Sequence, residues 1–476
     1  MFDLLPQFVS SDFCLSCQGC CRFVDPQSQW RAKVSFEEVD NTRKDNFVMA
    51  QQIVDALDDQ GFLNTQSTSE ESICTFLCPK SNKCSIYKHR PTECSIYPLV
   101  LVKKDNVIDV ALHLSCPFVQ ENNDLVGYDE YLANVKRFFE KEDVARFVNR
   151  NQHLARAYEG YSDEFENILS IKLDETDGDA LYSQRALMEI ALRKSTSEQS
   201  VYAFNNVFNW HKHFTFTFKS IDNFLCIFAH DGAGCFLYLA PIGVGFFPIS
   251  VVHKCFNYMD EHNQNKSMSR MENVDEECLY IFNTHDYNVV EKEQEYIYER
   301  VDIANLSGND YKSKRSDYNN FTKNNVYSYE VYDNAMKDEC LDLYDSWATQ
   351  RRQTHTDDIY VHMINEGRDV HKLILQQFKY LGIIGRVVKV DGVVRGYTFG
   401  YYLKQDTFCV LFETVDLNIK GLPTFIFSQF CQDKEVTPYT YINVMGDFGM
   451  PNIARVKASY RPVKQITSYV VSRREN

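Results

Sequence analysis

Nine of the sixteen cysteines (14, 17, 20, 21, 74, 78, 84, 94 and 116) fall within the first 116 residues, and the other seven are spread over the remaining 360. The tightest group is Cys14-Leu-Ser-Cys17-Gln-Gly-Cys20-Cys21. Two-residue gaps let thiolates of one short loop converge on a single centre, and Gly19 supplies the backbone freedom this needs. Adjacent cysteines rarely serve one ion because successive side chains diverge. One of Cys20 and Cys21 is therefore free for a second centre, or to tie the loop elsewhere. Downstream follow Cys74-Thr-Phe-Leu, the run from Cys84-Ser-Ile-Tyr87 through Arg90-Pro91 and Cys94 to Tyr97-Pro98, and Cys116-Pro117. That is enough thiolate for one or two centres. Met1 to Ser11 carries Asp3 and no basic n-region, so no secretory signal is read there and the expected address is the cytoplasm. In such a chain a dense cysteine cluster reads as metal ligation or redox chemistry before it reads as a disulfide framework. Cys226, Cys235, Cys255, Cys278, Cys340, Cys409 and Cys431 read as free buried thiols.

A second set of candidates lies near the C-terminus. Transfer of a group from an activated ester needs a base for the nucleophile's proton, donors for the developing oxyanion, and positive charge for donor phosphates. Glu413, in the strand text Leu411-Phe-Glu413-Thr-Val, is a candidate base, since half-burial of a carboxylate on such a strand would raise its pKa. Asp416 is the near alternative, and a solvated or ion-paired strand carboxylate is the plain one. Lys420-Gly421-Leu-Pro423-Thr424 opens a helix with Pro423 at its first position, and unpaired N–H groups at Gly421 and Thr424 can hold a phosphate or a carbonyl oxygen. Arg455 and Lys457, two apart, do not share a helix face, yet both can flank one cleft with Asn443 and Asp447. Asp447 joins Glu413 as a catalytic candidate. Residues 450–476 hold six Lys/Arg against one acidic residue, which favours a polyanion such as the pantetheine-nucleotide of an acyl-CoA or the end of a tRNA. Solvated charge at a terminus is the alternative. Lys312, Lys314 and Arg315 form a second basic group, or a surface turn.

These residues need a scaffold. At 476 residues, with 44% hydrophobic, 14% aromatic and 24% charged residues, the chain is long and apolar enough for about three folding units, which excludes a mainly disordered or fibrous protein. A net charge of −16 excludes a general polyanion or DNA binder. The longest uncharged run, the 18 residues from Cys235 to Val252, contains Pro241, Gly243, Gly245 and Pro248, so it reads as buried strands joined by a turn; no transmembrane segment is expected. From Gly127 to about Ser195 apolar residues return every three or four positions, as in helices. Glu-Thr-Asp-Gly-Asp at 175–179 breaks one helix, and Leu181 to Lys194 starts another.

Beyond this point strands alternate with short helices. Strands Ile383–Val390 and Val393–Tyr402 flank an Asp391-Gly392 turn of the kind hairpins favour. Then come a strand Phe408–Val415, a helix to about Cys431, a strand Tyr439–Met445, a short helix through Lys457 and a last strand Gln465–Ser472. The order β-β-β-α-β-α-β is that of an N-acyltransferase (GNAT) half.

Two resemblances sharpen this. On its CxxCxxCC opening, the C-x-F-L element at Cys74 and the run from Cys84 to Pro98, the stretch from Cys14 to Cys116 resembles the CxxCxxCC zinc- or iron-chelating (YkgJ-like) domain. The resemblance implies Cys14, Cys17, Cys20, Cys21, Cys74, Cys84, Cys94 and Cys116 as metal ligands, with Cys78 an extra and Ser95 where the family often has Arg. It implies an iron–sulfur cluster or zinc, since all-thiolate ligation suits both. Glu295-Tyr296-Ile-Tyr298 through Phe321 and Ile442-Asn443 through Pro462 look like the C-terminal domain of phosphatidylglycerol lysyltransferases. This implies two tandem GNAT-like halves and transfer of an acyl or aminoacyl group. The family's multi-span membrane region has no counterpart in the text, so a soluble amine or hydroxyl, on a small molecule or a protein, is the implied acceptor.

The expected architecture is α+β. A small cysteine-rich, mainly helical metal domain with a helical extension covers 1–197, and a tandem GNAT-like α/β acyltransferase domain covers 198–476, with halves about 198–325 and 326–476 and the site expected in the second. The expected donor is an acyl-CoA or an aminoacyl-tRNA, which makes tRNA a possible partner. The rival expectation is an iron–sulfur redox or modification protein whose C-terminal domain only binds substrate, and a third is a metal module whose GNAT half has lost its chemistry.

Overall fold

The computed structural model describes residues 9–17, 19–58, 60–68, 71–122, 128–173, 185, 188–189, 191–192, 195–243, 245–282, 286–354, 358–379, 381–404 and 406–474. The chain divides into two compact units, 1–190 and 191–476.

In the first unit, strands β1 (Arg22–Phe23), β2 (Thr65–Ser67) and β3 (Ser72–Cys74) form a small sheet in the order β1-β3-β2, and β4 (Leu77–Cys78) pairs with β5 (Lys83–Cys84). The helix Phe36–Asp45 starts at a reciprocal capping box: Glu38 N–H donates to Ser35 Oγ, and Ser35 N–H donates to Glu38 Oε2 at 2.7 Å. Strands β6 (Leu99–Lys104), β7 (Val107–His113) and β8 (Phe165–Lys172) make an antiparallel sheet in that order. Its core holds Leu101, Val110 and Leu112 together with Val135, Phe139 and Val144 of the helices Tyr128–Phe139 and Glu142–Arg150. The helical text expected from Gly127 onward is interrupted after Arg150, where β8 takes its place, and is helical again at the described residues Arg185, Met188, Glu189, Ala191 and Leu192. In Phe165–Lys172, Ile168 and Ile171 are buried, and β7 supplies the backbone partners that hold the segment extended. Residues 175–179 and most of Leu181–Lys194 lie outside the described residues.

The second unit is built on one eleven-stranded sheet. Its strands are β9 (Thr215–Ile221), β10 (Phe224–His230), β11 (Cys235–Leu237), β12 (Arg270–Asp275), β13 (Tyr287–Glu299), β14 (Tyr327–Val331), β15 (Ile384–Val390), β16 (Val393–Lys404), β17 (Thr407–Val415), β18 (Tyr441–Gly446) and β19 (Lys464–Arg473). They run in the order β14-β15-β16-β17-β18-β13-β19-β12-β11-β10-β9. All pairings are antiparallel except two, β11·β12 and β17·β18, one in each half. The halves exchange their last strands. β13 pairs with β18, β19 pairs with β12, and the two exchanged strands pair with each other. This makes the second unit a mixed α/β tandem of the GNAT kind.

The Asp391-Gly392 turn has φ of 52° and 79°, both positive as a two-residue hairpin of this type requires, and it sets the β15·β16 register Val390↔Val393. The uncharged run forms β11 and a loop, then the start of the helix Ile249–His262, in place of a second strand. Val251, Val252, Cys255, Phe256 and Met259 repeat at helical spacing and are buried against the sheet of that half. Among the described residues no helix is long and apolar enough to cross a membrane. The second half follows the expected element order. Before β15 it also has β14 and the helices Lys337–Thr354 and Asp358–Gln377, from which His371 stacks on Phe412 of β17 with ring centroids 3.9 Å apart.

Candidate functional site

The cysteine loops are held by backbone geometry. The short helix Ser11–Ser16 carries Cys14, and the chain then turns through Cys17 and Gly19 to Cys20, Cys21 and β1. Cys74 N–H donates to Cys21 O at 2.9 Å, next to the pair Arg22↔Ile73, so β1·β3 sets Cys21 beside Cys74. The hairpin pair Leu77↔Cys84 presents Cys84, and the helix Thr92–Ile96 presents Cys94. Cys116 immediately precedes the helix Pro117–Asn122, whose Phe118 packs edge-on against Phe13 at 5.0 Å. Sequence reading missed a latch here. Asn82 donates to Leu15 O at 2.8 Å and Cys17 O at 2.9 Å, while its Oδ1 accepts from Arg22 at 3.1 Å. Its signal was slight, an Asn in a turn between cysteine-bearing strands, where it takes φ 53°.

All these cysteines are free thiols. Burial pushes Cys74 up to about 12 and Cys94 well above the usual thiol range. Cys21 moves the other way because the Cys20 thiol donates to it, and Arg22 and Arg90 add positive charge. Arg90 Nε also donates to Ser95 Oγ at 3.2 Å, so a guanidinium reaches this region from a different position in the chain. Cys78 is exposed and is lowered by hydrogen bonds from Ser81, with no other cysteine acting on it. Among the described residues no three His, Cys, Asp or Glu side chains are gathered closely enough to hold one ion as they stand. Thiol donors of this kind nonetheless suit zinc and iron–sulfur clusters alike. These thiols sense one another's charge and carry no disulfide, and bound metal supplies the charge that deprotonates such thiols.

In the second unit, Glu413 lies on β17, paired with Thr398 of β16. Its carboxyl has no hydrogen-bond or ion-pair partner among the described residues. Burial pushes it up to about 8, and it is near enough to shift Tyr460 and Cys431. Tyr460 OH lies 3.2 Å from Thr424 Oγ1, and Lys314 Nζ sits 3.8 Å over the Tyr460 ring, its pKa lowered by burial. Thr424 is in the first turn of the helix that Gly421 caps with φ 84°. Pro423 takes the second helical position, one later than expected. Leu422 N–H donates to Ile419 O, while the Gly421 and Thr424 N–H groups have no acceptor among the described residues. Glu413, Lys314, Gly421 and Thr424 thus come together, with Tyr460 added. That tyrosine lies in a motif the sequence reading quoted, without a role.

The remaining candidates have other employment. Lys457 is buried and donates to three carbonyls at the end of β18, Val444 O (2.7 Å), Met445 O (3.0 Å) and Gly446 O (2.6 Å); burial lowers it to about 8. Asp447 accepts from Tyr296 OH at 2.8 Å and Gly449 N–H at 3.0 Å. Asn443 donates to the buried Glu295, which also accepts from the backbone and hydroxyl of Ser200. Arg315 donates to Leu306 O and Gly308 O, closing the end of the helix Arg300–Asn305. Asp416 pairs with Arg395 at 3.0 Å. The basic excess near the C-terminus is largely paired, Lys464 to Glu198, Arg473 to Asp260, Arg474 to Asn288 and Arg461 to Asp310. Arg455, exposed on the helix Pro451–Ala458, has no partner among the described residues.

The putative zinc- or iron-chelating CxxCxxCC domain matches residues 13–123, and the phosphatidylglycerol lysyltransferase C-terminal domain matches residues 192–472. Among solved structures, a conserved protein of unknown function from Bacteroides thetaiotaomicron is 25% identical with TM-score 0.54, covering 61% of this chain and 97% of its own. The C-terminal domain of a putative lysylphosphatidylglycerol synthetase from Agrobacterium fabrum is 10% identical with TM-score 0.43, covering 59% and 90%. L-PGS from Bacillus licheniformis is 16% identical with TM-score 0.43, covering 61% and 91%. No curated protein matches the chain. The lysyltransferase match spans more than half of the sequence and takes in both halves of the strand-exchanged sheet, so the chain belongs to the phosphatidylglycerol lysyltransferase C-terminal domain family.

Proposed function

We propose that the protein transfers an aminoacyl group from an aminoacyl-tRNA to an amine or hydroxyl of a soluble acceptor, at a site in the second half centred on Glu413. The observation that carries this reading is a carboxyl held near pKa 8 with no polar partner, beside a tyrosine and a lysine, in a chain of a lysyltransferase family. Such a carboxyl is a matched base at neutral pH. In the step, the acceptor nitrogen or oxygen attacks the ester carbonyl carbon and Glu413 takes its proton. The new C–N or C–O bond forms as the old ester C–O bond breaks. Burial pushes the Tyr460 hydroxyl up, which keeps it protonated and able to donate to the departing ribose oxygen. The N–H groups of Gly421 and Thr424 face the position where donor oxygens gather charge. Arg455, exposed and without a partner among the described residues, is a cation that donor phosphates can meet.

The eight family cysteines would hold zinc or an iron–sulfur cluster, which supplies a rigid cross-link and, if iron, an electron-transfer centre. A cytoplasmic address fits a tRNA donor and free thiols. The test is transfer of labelled amino acids from an aminoacyl-tRNA panel, and of acyl groups from acyl-CoAs, into amine and hydroxyl acceptors, with Glu413→Gln as control. A transfer that Glu413→Gln leaves at the wild-type rate contradicts the reading.

A further inference from the structure

The loop Gly446-Asp447-Phe448-Gly449, between β18 and the helix Pro451–Ala458, is pinned by hydrogen bonds. Asp447 N–H donates to Gln294 O at 3.1 Å, Phe448 N–H to Glu293 Oε2 at 3.1 Å and Met450 N–H to Asp447 O at 2.9 Å, while the Asp447 carboxylate accepts from Tyr296 and Gly449. These bonds hold Phe448 at φ 54°, a left-handed conformation that a bulky residue keeps only where its surroundings impose it. Burial does not offset the strain. The side chain is 54% exposed, and its ring has no aromatic or cationic partner among the described residues. Tyr158, also at positive φ, shows the contrast: it is buried, with its ring 4.9 Å from that of Trp30.

The loop adjoins the transfer site. On β13, Tyr296 OH reaches Asp447 at 2.8 Å, and Tyr298 OH donates to Lys457 O at 2.8 Å while its ring lies 6.3 Å from that of Tyr460. Two nearby residues of one strand thus carry the loop, the helix after it and Tyr460 side by side. Arg455, exposed and without a partner among the described residues, stands on that helix. An exposed ring followed by a free cation suits an unpaired nucleotide, since any base stacks on an aromatic face and its phosphate meets the charge. The ester of an aminoacyl-tRNA sits on the ribose of the terminal nucleoside, so the base on that ribose must lie within one nucleoside of Tyr460.

We propose that Phe448 is the stacking platform for the unpaired terminal base of the donor tRNA, with Arg455 on the adjoining phosphate. This rests on the reading of the donor as an aminoacyl-tRNA. A ring fixed in advance loses less freedom on binding than a mobile one, and that gain offsets the strained φ.

The test is equilibrium binding of the full-length protein to deacylated tRNA and to the same tRNA lacking its terminal nucleoside, at one fixed salt concentration, with circular dichroism as the check on folding. Wild type is expected to bind the intact tRNA about 5–100-fold more tightly. Phe448→Ala should bind both forms as wild type binds the shortened one, and Phe448→Trp should keep the preference. Phe448→Gly, which φ 54° admits without strain, replaces Phe448→Ala if that variant does not fold. Equal affinity of wild type for the two forms, or a preference that survives Phe448→Ala, would overturn the platform and leave the donor reading standing. No binding of either tRNA would overturn both. Flotation with phosphatidylglycerol vesicles that wild type shows and Phe448→Ala loses would assign the ring to a lipid surface and overturn the proposal.

Discussion

Asn443 Nδ2 donates to Glu295 Oε2 at 2.7 Å, a bond across 148 residues that joins β18 to the strand exchanged from the first half. Glu295 is fully buried, and its other donors are the backbone and hydroxyl of Ser200. Burial raises its pKa, the hydrogen bonds oppose that, and the carboxylate can stay in the core only while its donors are in place.

Asn443→Leu removes one donor and leaves the carboxylate short. We expect a loss of about 1–3 kcal/mol in urea unfolding. The loss should grow as pH rises, because a carboxyl whose folded pKa is raised withdraws stability as it ionises. An unchanged midpoint would mean that the exchanged strands are secured elsewhere.

Gly421 combines φ 84° with a position where a Cβ would come within 2.1 Å of the Asp317 carbonyl oxygen. Gly421→Ala therefore strains the turn and pushes the helix Lys312–Asn324 away from the helix Leu422–Cys431. A loss of at least about 2 kcal/mol is expected in thermal unfolding. Transfer should fall as well, since Lys314 and Thr424 ride on those two helices.

Arg315 and Arg455 separate stability from binding. Arg315→Ala gives up charge-assisted bonds to two carbonyls and should lower stability by about 2 kcal/mol with the donor KM unchanged. Arg455→Ala should leave Tm unchanged and raise the donor KM several-fold. The reverse pattern would reassign the phosphate contact.

Glu413 predicts a pH dependence of stability. Its folded pKa is about 8 and the ordinary carboxyl value is about 4.3, so the folded chain holds a proton that the unfolded chain releases across that window. Stability should fall as pH rises from about 4.3 to 8, by at most about 1.4 kcal/mol per pH unit, less where solvent reaches the carboxyl. Glu413→Gln should flatten this slope, which unfolding at several pH values measures.

Much of this was legible in the text. The Asp391-Gly392 hairpin carries its own turn chemistry, and the sequence from β15 to β19 reads in order because each element has a local period or a stop signal. Glu413 stood out as a lone carboxylate in apolar strand text. What long-range pairing decides was hidden. The exchange of β13 and β19 cannot be read from either strand, and β8 took extended form only because β7 offered it partners. Lys457, Arg315 and most of the C-terminal basic residues looked like a phosphate surface because sequence gives charge without partners. Folded, they meet carbonyls and carboxylates. Asn82 had no motif to announce it.

The central claim is that Glu413 is the base of an aminoacyl transfer, and the most direct test is the rate of amino acid transfer from aminoacyl-tRNA by wild type and Glu413→Gln across pH 6 to 10. The account predicts a wild-type rate that rises with pH and levels above about 8, as the carboxyl gives up its proton, and a loss of about 10²–10⁴-fold in the variant. A variant as fast as wild type with the same pH profile would contradict it.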